Sequence, residues 1–131
     1  MSGPTPIHTG IARQIGHYAD AVRVPAGSDL IYLSGTPGLT PDGHLPEDFS
    51  AEARQAWRNV ETALTRAGSS LADIVSVRQW LTSADLIPAY AAVRAEVIKH
   101  EPAFMLGIIP GLVWPQLRVE IEVTAVRPPA G

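Results

Sequence analysis

Hydrophobic and polar residues alternate over residues 117–126, LRVEIEVTAV. The odd-numbered side chains are apolar and the even-numbered ones mostly polar, which predicts a strand with one buried and one polar face. A similar pattern in DIVSVRQWLT, residues 73–82, predicts another strand. One further strand is predicted within residues 101–111, EPAFMLGIIPG. Two strands joined by a turn are predicted within residues 21–35, AVRVPAGSDLIYLSG.

Two segments instead repeat apolar residues at helical spacing. The first runs from Ser50, a candidate N-cap, to Gly68, which is placed for a left-handed C-terminal cap. Its predicted buried face is Ala53, Ala56, Trp57, Val60, Ala63, Leu64 and Ala67. The second helix is predicted over about residues 85–100, with Pro88 in its first turn and the Glu101–Pro102 step at its end. Its predicted buried stripe is Leu86, Ala89, Tyr90, Val93 and Val97.

The predicted element order is β-β-α-β-α-β-β, which favours an α+β two-layer domain with both helices on one face of the sheet. The other face is then either exposed to water or covered by another subunit. Residues 1–10 are rich in proline, glycine and threonine and predict a flexible N-terminal arm. Residues 11–127 form one predicted domain, and residues 128–131 a short tail.

Composition narrows the function classes. The 131 residues are 46% hydrophobic and 18% charged, enough for one domain with a core. A net charge of −3 without a basic stripe argues against nucleic acid or membrane partners. The chain has no cysteine, and its four histidines lack ligand spacing, so we predict no metal. Neither a signal-peptide pattern nor a run of about 18 apolar residues occurs, which predicts a cytoplasmic protein.

Four segments follow one another along the chain in this order: IGHYADAVRV, LIYLSGTPGL, AGSSLADIVSVRQWLT and PAF…LRVEIEVTAV. Together, over roughly residues 11–127, they resemble the reactive intermediate deaminase (Rid, YjgF-like) family, also catalogued as L-PSP endoribonuclease. The resemblance implies a chorismate-mutase-like fold and a homotrimer with three clefts between subunits. It also implies hydrolysis of small imines and enamines to ketoacids and ammonia, without metal or organic cofactor.

Functional positions of the family fall on Tyr18 of IGHY, Ser34 and Gly35 of SGT, and Glu120 of VEIEV. The resemblance implies that Glu120 positions or activates water and that Tyr18 orients the substrate. Ser34 and Gly35 would hold a polar substrate atom. The residues alone also allow plainer interpretations: Glu120 as a polar-face glutamate paired with Arg118 or with a neighbouring strand, and Tyr18 as an interface tyrosine.

The sequence departs from the family at the arginine that clamps the substrate carboxylate in a PAR motif. Here the motif ends in Phe104, and a ring cannot replace a bidentate guanidinium. Ala91 stands where a family asparagine contributes. We therefore expect Phe104 and Met105 to form an apolar wall, and Arg118 to be a candidate for binding a substrate anion. His17, beside Tyr18, is a candidate proton carrier or an ordinary surface histidine.

Two functions follow from these residues. The first is a cofactor-free hydrolase, deaminase-like or tautomerase-like, that acts on a non-standard imine, enamine or related carbonyl compound at inter-subunit clefts. The second is a non-catalytic trimer that binds a small ligand or serves a regulatory role. Endoribonuclease activity is a weaker alternative, because the chain is acidic and shows no paired catalytic histidines.

Overall fold

The computed structural model describes residues 3–127 and Pro129, and the structural statements that follow concern these residues. Its main elements are β1 (Thr5–Ile7), β2 (Ala21–Arg23), β3 (Asp29–Tyr32), β4 (Thr36–Pro37), α1 (Phe49–Arg66), β5 (Ile74–Leu81), α2 (Ile87–Val97), β6 (Ala103–Ile108) and β7 (Val119–Arg127). Short 3-10 helices span Ala12–Gln14, Leu71–Asp73 and Ala84–Leu86.

The main sheet has the strand order β3-β7-β5-β6, with β4 also paired to β7. Strand β7 runs antiparallel to β3, β4 and β5. Strands β5 and β6 are parallel, because α2 carries the chain back across the sheet between them. Both helices pack on one face of this mixed sheet. The predicted α+β two-layer architecture is therefore confirmed.

The core lies between the helices and the sheet. The predicted inward face of β7 is confirmed, because its members are at most 1% exposed: Leu117, Val119, Ile121, Val123 and Ala125. Trp57 of α1 and Tyr90 of α2 close the core from the helical side. Burying a large apolar side chain of this kind contributes about 1.5–3 kcal/mol. The core thus fixes which side chains of each strand face away from the helices.

Helix α1 begins two residues earlier than predicted. Asp48, not Ser50, is the N-cap, and its carboxylate accepts the Ala51 N–H at 3.0 Å. Both residue types make good caps, so sequence alone does not separate them. Burial of Phe49 separates them, because this ring packs in the core as the first helical residue.

The C-termini of the helices differ in how well they were predicted. Gly68 follows α1 with φ +82°, as predicted for a left-handed cap. The N–H groups of Gly68 and of the next residue donate to the carbonyls of Thr65 and Leu64 at 3.1 and 2.9 Å. Helix α2 ends at Val97 rather than near residue 100, because Ile98 already adopts an extended conformation and is buried.

Part of the N-terminal segment, for which the sequence predicts a flexible arm, forms a strand. Strand β1 pairs antiparallel with β2. The Asp20 carboxylate then accepts the N–H groups of Thr9 and Ala12 at 2.7 and 2.9 Å, which fixes the following loop. Strands β2 and β3 correspond to the two predicted strands joined by a turn. They do not pair with each other, because they belong to different sheets. Of the predicted tail, only Pro129 lies within the described residues.

Candidate functional site

Glu120 and the loop between β3 and β4 form the first cluster of predicted site residues. Glu120 lies on the sheet face away from the helices, because its neighbours Val119 and Ile121 point into the core. The loop crosses this carboxylate so closely that a Cβ atom at Gly35 would lie 2.5 Å from Glu120 Oε2. Ser34 is exposed beside it. A glycine at this position therefore lets the backbone approach the carboxylate.

Tyr18 and Phe104 form a second cluster. Phe104 pairs in register with the buried Val77, so its ring lies on the helical face of the sheet and packs against the core. Tyr18 meets this ring edge-on, with ring centroids 5.5 Å apart and planes inclined by 69°. Within one chain, this cluster and the Glu120 carboxylate therefore occupy opposite faces of the sheet.

The predicted apolar wall of Phe104 and Met105 is wrong. Successive strand residues point to opposite faces, so Met105 lies on the face away from the helices and is 38% exposed. There it neighbours Gly107, and a Cβ atom on that glycine would meet the Trp80 ring at 2.8 Å. Phe104 alone contributes to the helical side.

Arg118 is not a free anion-binding residue, which corrects the second prediction for this site. Its Nε donates to Glu52 Oε1 at 2.7 Å, and its backbone N–H donates to Oε2 at 2.9 Å. Its Nη2 also donates to the backbone carbonyls of Pro46 and Glu47. The Glu52 side chain is fully buried, so the arginine serves to neutralise it. The alternative pair of Arg118 with Glu120 is thereby ruled out.

Gln79, which is not among the predicted site residues, is fully buried on the core face of β5. Its Oε1 accepts the Tyr90 hydroxyl at 2.6 Å, and its Nε2 donates to the Met105 carbonyl at 2.9 Å. Burial raises the pKa of Tyr90 far above its ordinary value, against a smaller lowering by Arg94, so the phenol remains a donor. An inward-facing polar residue in an alternating strand was the available signal for this network.

Arg94 of α2 is the second residue that was missed. Its Cζ lies 4.5 Å from the centroid of the Phe104 ring, and its Nη1 donates to Gln79 Oε1 at 3.2 Å. A basic residue beside an apolar helical stripe ordinarily extends into solvent, so periodicity carried no signal. The structure instead places this guanidinium over the Phe104 ring.

A cavity of about 360 Å³ opens beside this guanidinium. Its lining includes His17, Ala91, Arg94, Ile98, Lys99 and Phe104. His17 is exposed at the rim, with Nδ1 3.4 Å from Glu101 Oε2. Among the residues that the structure describes, no group of three histidine or acidic side chains is arranged to hold a metal ion. The cavity therefore combines basic side chains with an apolar floor.

The mixed sheet with both helices on one face places the chain in the α+β class. Comparisons with known proteins identify its family. Residues 10–127 match the family described as endoribonuclease L-PSP. A RutC family protein of Haemophilus influenzae is 36% identical over 92 residues, which are 69% of this chain and 66% of that protein. The chain belongs to the L-PSP family, also called Rid or YjgF.

Solved structures agree with this assignment. RidA from an Antarctic Psychrobacter superposes with a TM-score of 0.71 and 29% identity, covering 85% of this chain and 89% of that one. Rv2704 of Mycobacterium tuberculosis, of the YjgF/YER057c/UK114 family, has a TM-score of 0.67 and 31% identity, with coverages of 94% and 98%. The family and fold predicted from four sequence segments are confirmed. In the described part of the chain, no helix has the length and apolar character to cross a membrane.

Proposed function

We propose that this protein is a cofactor-free hydrolase that converts an imine or enamine to a carbonyl compound and ammonia, in clefts between the subunits of a homotrimer. The observation that carries the proposal is the close approach of Gly35 to the Glu120 carboxylate. Among the described residues, no basic side chain lies within ion-pair distance of Glu120. This carboxylate is therefore available for proton transfer.

The reaction needs only water and one proton carrier. Water oxygen adds to the carbon of the protonated imine, and the water proton passes to Glu120. Glu120 returns this proton to the amino nitrogen of the carbinolamine, and the C–N bond breaks with its electron pair leaving on ammonia. The hydroxyl proton then passes through Glu120 to the ammonia, which leaves as ammonium. Ser34 and the Gly35 N–H hold the substrate oxygen or nitrogen during these steps. An enamine enters the same route when Glu120 mediates protonation of its carbon.

Assembly into a trimer is supported by two features of the single chain. The Tyr18–Phe104 cluster and Glu120 lie on opposite faces of the sheet, so a neighbouring subunit would bring one beside the other. Large apolar side chains also lie exposed, as expected for surfaces covered by another copy. They include Leu30, Tyr32, Val113 and Trp114, at 45–83% exposure.

The test measures decay of imines generated in the assay by an amino acid oxidase, with and without protein. The substrate series runs from 2-iminopropanoate to branched-chain imino acids. We expect acceleration of at least one imine and a loss of about 100-fold or more in kcat for Glu120→Gln. Glu122→Gln is the matched control, because Glu122 lies on the same face of β7 and only approaches Arg78 at 4.0 Å. Equal rates for Glu120→Gln and wild type would exclude the mechanism.

A non-catalytic ligand-binding protein is the second candidate, favoured by the cavity beside Phe104, whose lining contains no carboxylate. This candidate predicts saturable ligand binding without turnover of any imine in the series. Endoribonuclease activity remains the weaker alternative because of the net charge of −3.

A further inference from the structure

Arg94 has no carboxylate partner among the described residues, unlike three other arginines. Arg54, Arg118 and Arg13 each have a carboxylate partner, at 3.1, 2.7 and 3.4 Å. Arg94 has none within 4.0 Å in the part of the chain that the structure describes. Its side chain is half-buried and lines a cavity. A partly desolvated guanidinium without a counter-charge is a ready site for an anion.

The guanidinium is also held in position before any ligand binds. Nη1 donates to Gln79, whose own orientation is fixed by the buried Tyr90 hydroxyl. The plane rests against the Phe104 ring, with Cζ 4.5 Å from its centroid. A guanidinium has five N–H donors, so most remain free for a ligand. Such preorganisation reduces the entropic cost of binding.

The rest of the cavity indicates which anion fits. Lys99 and His17 add two basic groups, whereas Ala91, Ile98 and Phe104 form apolar surface. Two carboxylates lie close to this lining without belonging to it: Glu101 is 3.4 Å from the exposed His17, and Glu96 pairs with Arg54 at 3.1 Å. A volume of about 360 Å³ accommodates a small organic molecule. The chemistry therefore matches a carboxylate attached to a short apolar chain.

We propose that Arg94 determines substrate specificity by holding the carboxylate of an apolar 2-imino or 2-oxo acid over the Phe104 ring. The inference rests on the proposed function for the identity of the ligand. It replaces the expectation that Arg118 binds a substrate anion: the anion-binding charge comes from Arg94 of α2. Phe104 then serves as a platform for the guanidinium and for the apolar part of the ligand.

The test compares a carboxylate with its neutral amide in calorimetric titrations. The probes are 4-methyl-2-oxopentanoate and 4-methyl-2-oxopentanamide, which share one apolar chain. We expect wild type to bind the carboxylate at least about tenfold more tightly than the amide, and less tightly as salt rises. Arg94→Gln should lose this preference, and Arg94→Lys should keep part of it. Arg66→Gln, an exposed arginine in the last turn of α1, should bind as wild type does.

Three results would overturn the inference. They are equal binding of both probes by wild type, undiminished carboxylate binding by Arg94→Gln, and no binding of either probe at about 10 mM. If Arg94→Gln fails to fold, as judged by its melting temperature, Arg94→Lys decides, because it retains the charge and a donor for Gln79. Arg94-dependent binding without turnover of any imine would refute the proposed function and leave this inference intact. Glu120-dependent turnover with unchanged binding in Arg94→Gln would do the reverse.

Discussion

The Glu52 carboxylate lies in the interior of the domain and depends on one arginine for its charge balance. Arg118 reaches it from 66 positions away in sequence and also binds two carbonyls in the loop before α1. The pair therefore connects the start of β7, which carries Glu120, to the helix layer. This pairing with Glu52 explains why Arg118 is unavailable to a substrate.

Arg118→Ala tests this structural role. Removing the guanidinium leaves a fully buried carboxylate unpaired, which we expect to lower the free energy of unfolding by about 3–5 kcal/mol. Urea unfolding followed by circular dichroism measures the change. Arg78→Ala is the control: its partner Glu122 is exposed and 4.0 Å away, so a loss below about 1 kcal/mol is expected. A stable Arg118→Ala protein would show that the buried pair is dispensable.

Motif resemblance suggested some of the candidate site residues and gave no sign of others, for a physical reason. Tyr18 and Glu120 stand in short local motifs, and strand alternation correctly placed Glu120 away from the core. The Arg118–Glu52 pair and the contact of Arg94 with Phe104 depend on chain packing between distant segments. A local sequence pattern carries no information on such contacts, so the sequence pointed to Arg118, which is paired with Glu52, and not to Arg94.

At the level of elements, long periodic segments were predictable and short ones were not. Helix α1 and strands β5 and β7 follow apolar periods that their burial confirms, and α2 buries Tyr90 and Val93 of its predicted stripe. Strands β1 and β4 have three and two residues, too few for a period, and exist through pairing with β2 and β7. The boundary of α1 was ambiguous because two adequate caps lie two residues apart.

The N-terminal segment is attached to the start of β6 by a cluster around Glu101. His8 Nε2 lies 3.0 Å from this carboxylate, and Arg13 and His17 each lie 3.4 Å away. Burial raises the pKa of Glu101, but the charges of His8, Arg13 and His17 outweigh it and hold the pKa below its ordinary value. The ionised carboxylate therefore stabilises the attachment of residues 8–17 beside the cavity.

Because the folded-state pKa is lowered, this stabilisation is present above the ordinary glutamate pKa of about 4.3 and is lost as the pH falls through the lower folded value. We expect wild type to melt above Glu101→Gln at pH 6, and the difference between the two melting temperatures to shrink as the pH falls below about 4.3. Thermal denaturation between pH 3 and 7 measures the difference. Glu47→Gln is the control, and a Glu101→Gln difference as large at pH 3 as at pH 6 would contradict this account.

For the whole molecule, the division of site residues between two faces of one sheet has a consequence for assembly. If Glu120 of one subunit meets the Tyr18–Phe104 cluster of the next, a site damaged in either half can be repaired by mixing. Trimers that contain both Glu120→Gln and Tyr18→Ala subunits, in either ratio, hold one site with both native residues. Unmixed trimers of each variant hold none.

Co-refolding the two variants in equal amounts should therefore restore activity to about a quarter of the wild-type value, since random assembly makes that fraction of sites intact. Light scattering should give about three times the chain mass of 14.0 kDa for every sample. The control mixes Glu120→Gln with the Glu120→Gln/Tyr18→Ala double variant, which cannot form a native site. Recovery no greater than in this control would place Glu120 and Tyr18 in separate sites or within one subunit. Recovery near a quarter requires that neighbouring chains share each site, which the two faces of a single sheet cannot achieve alone.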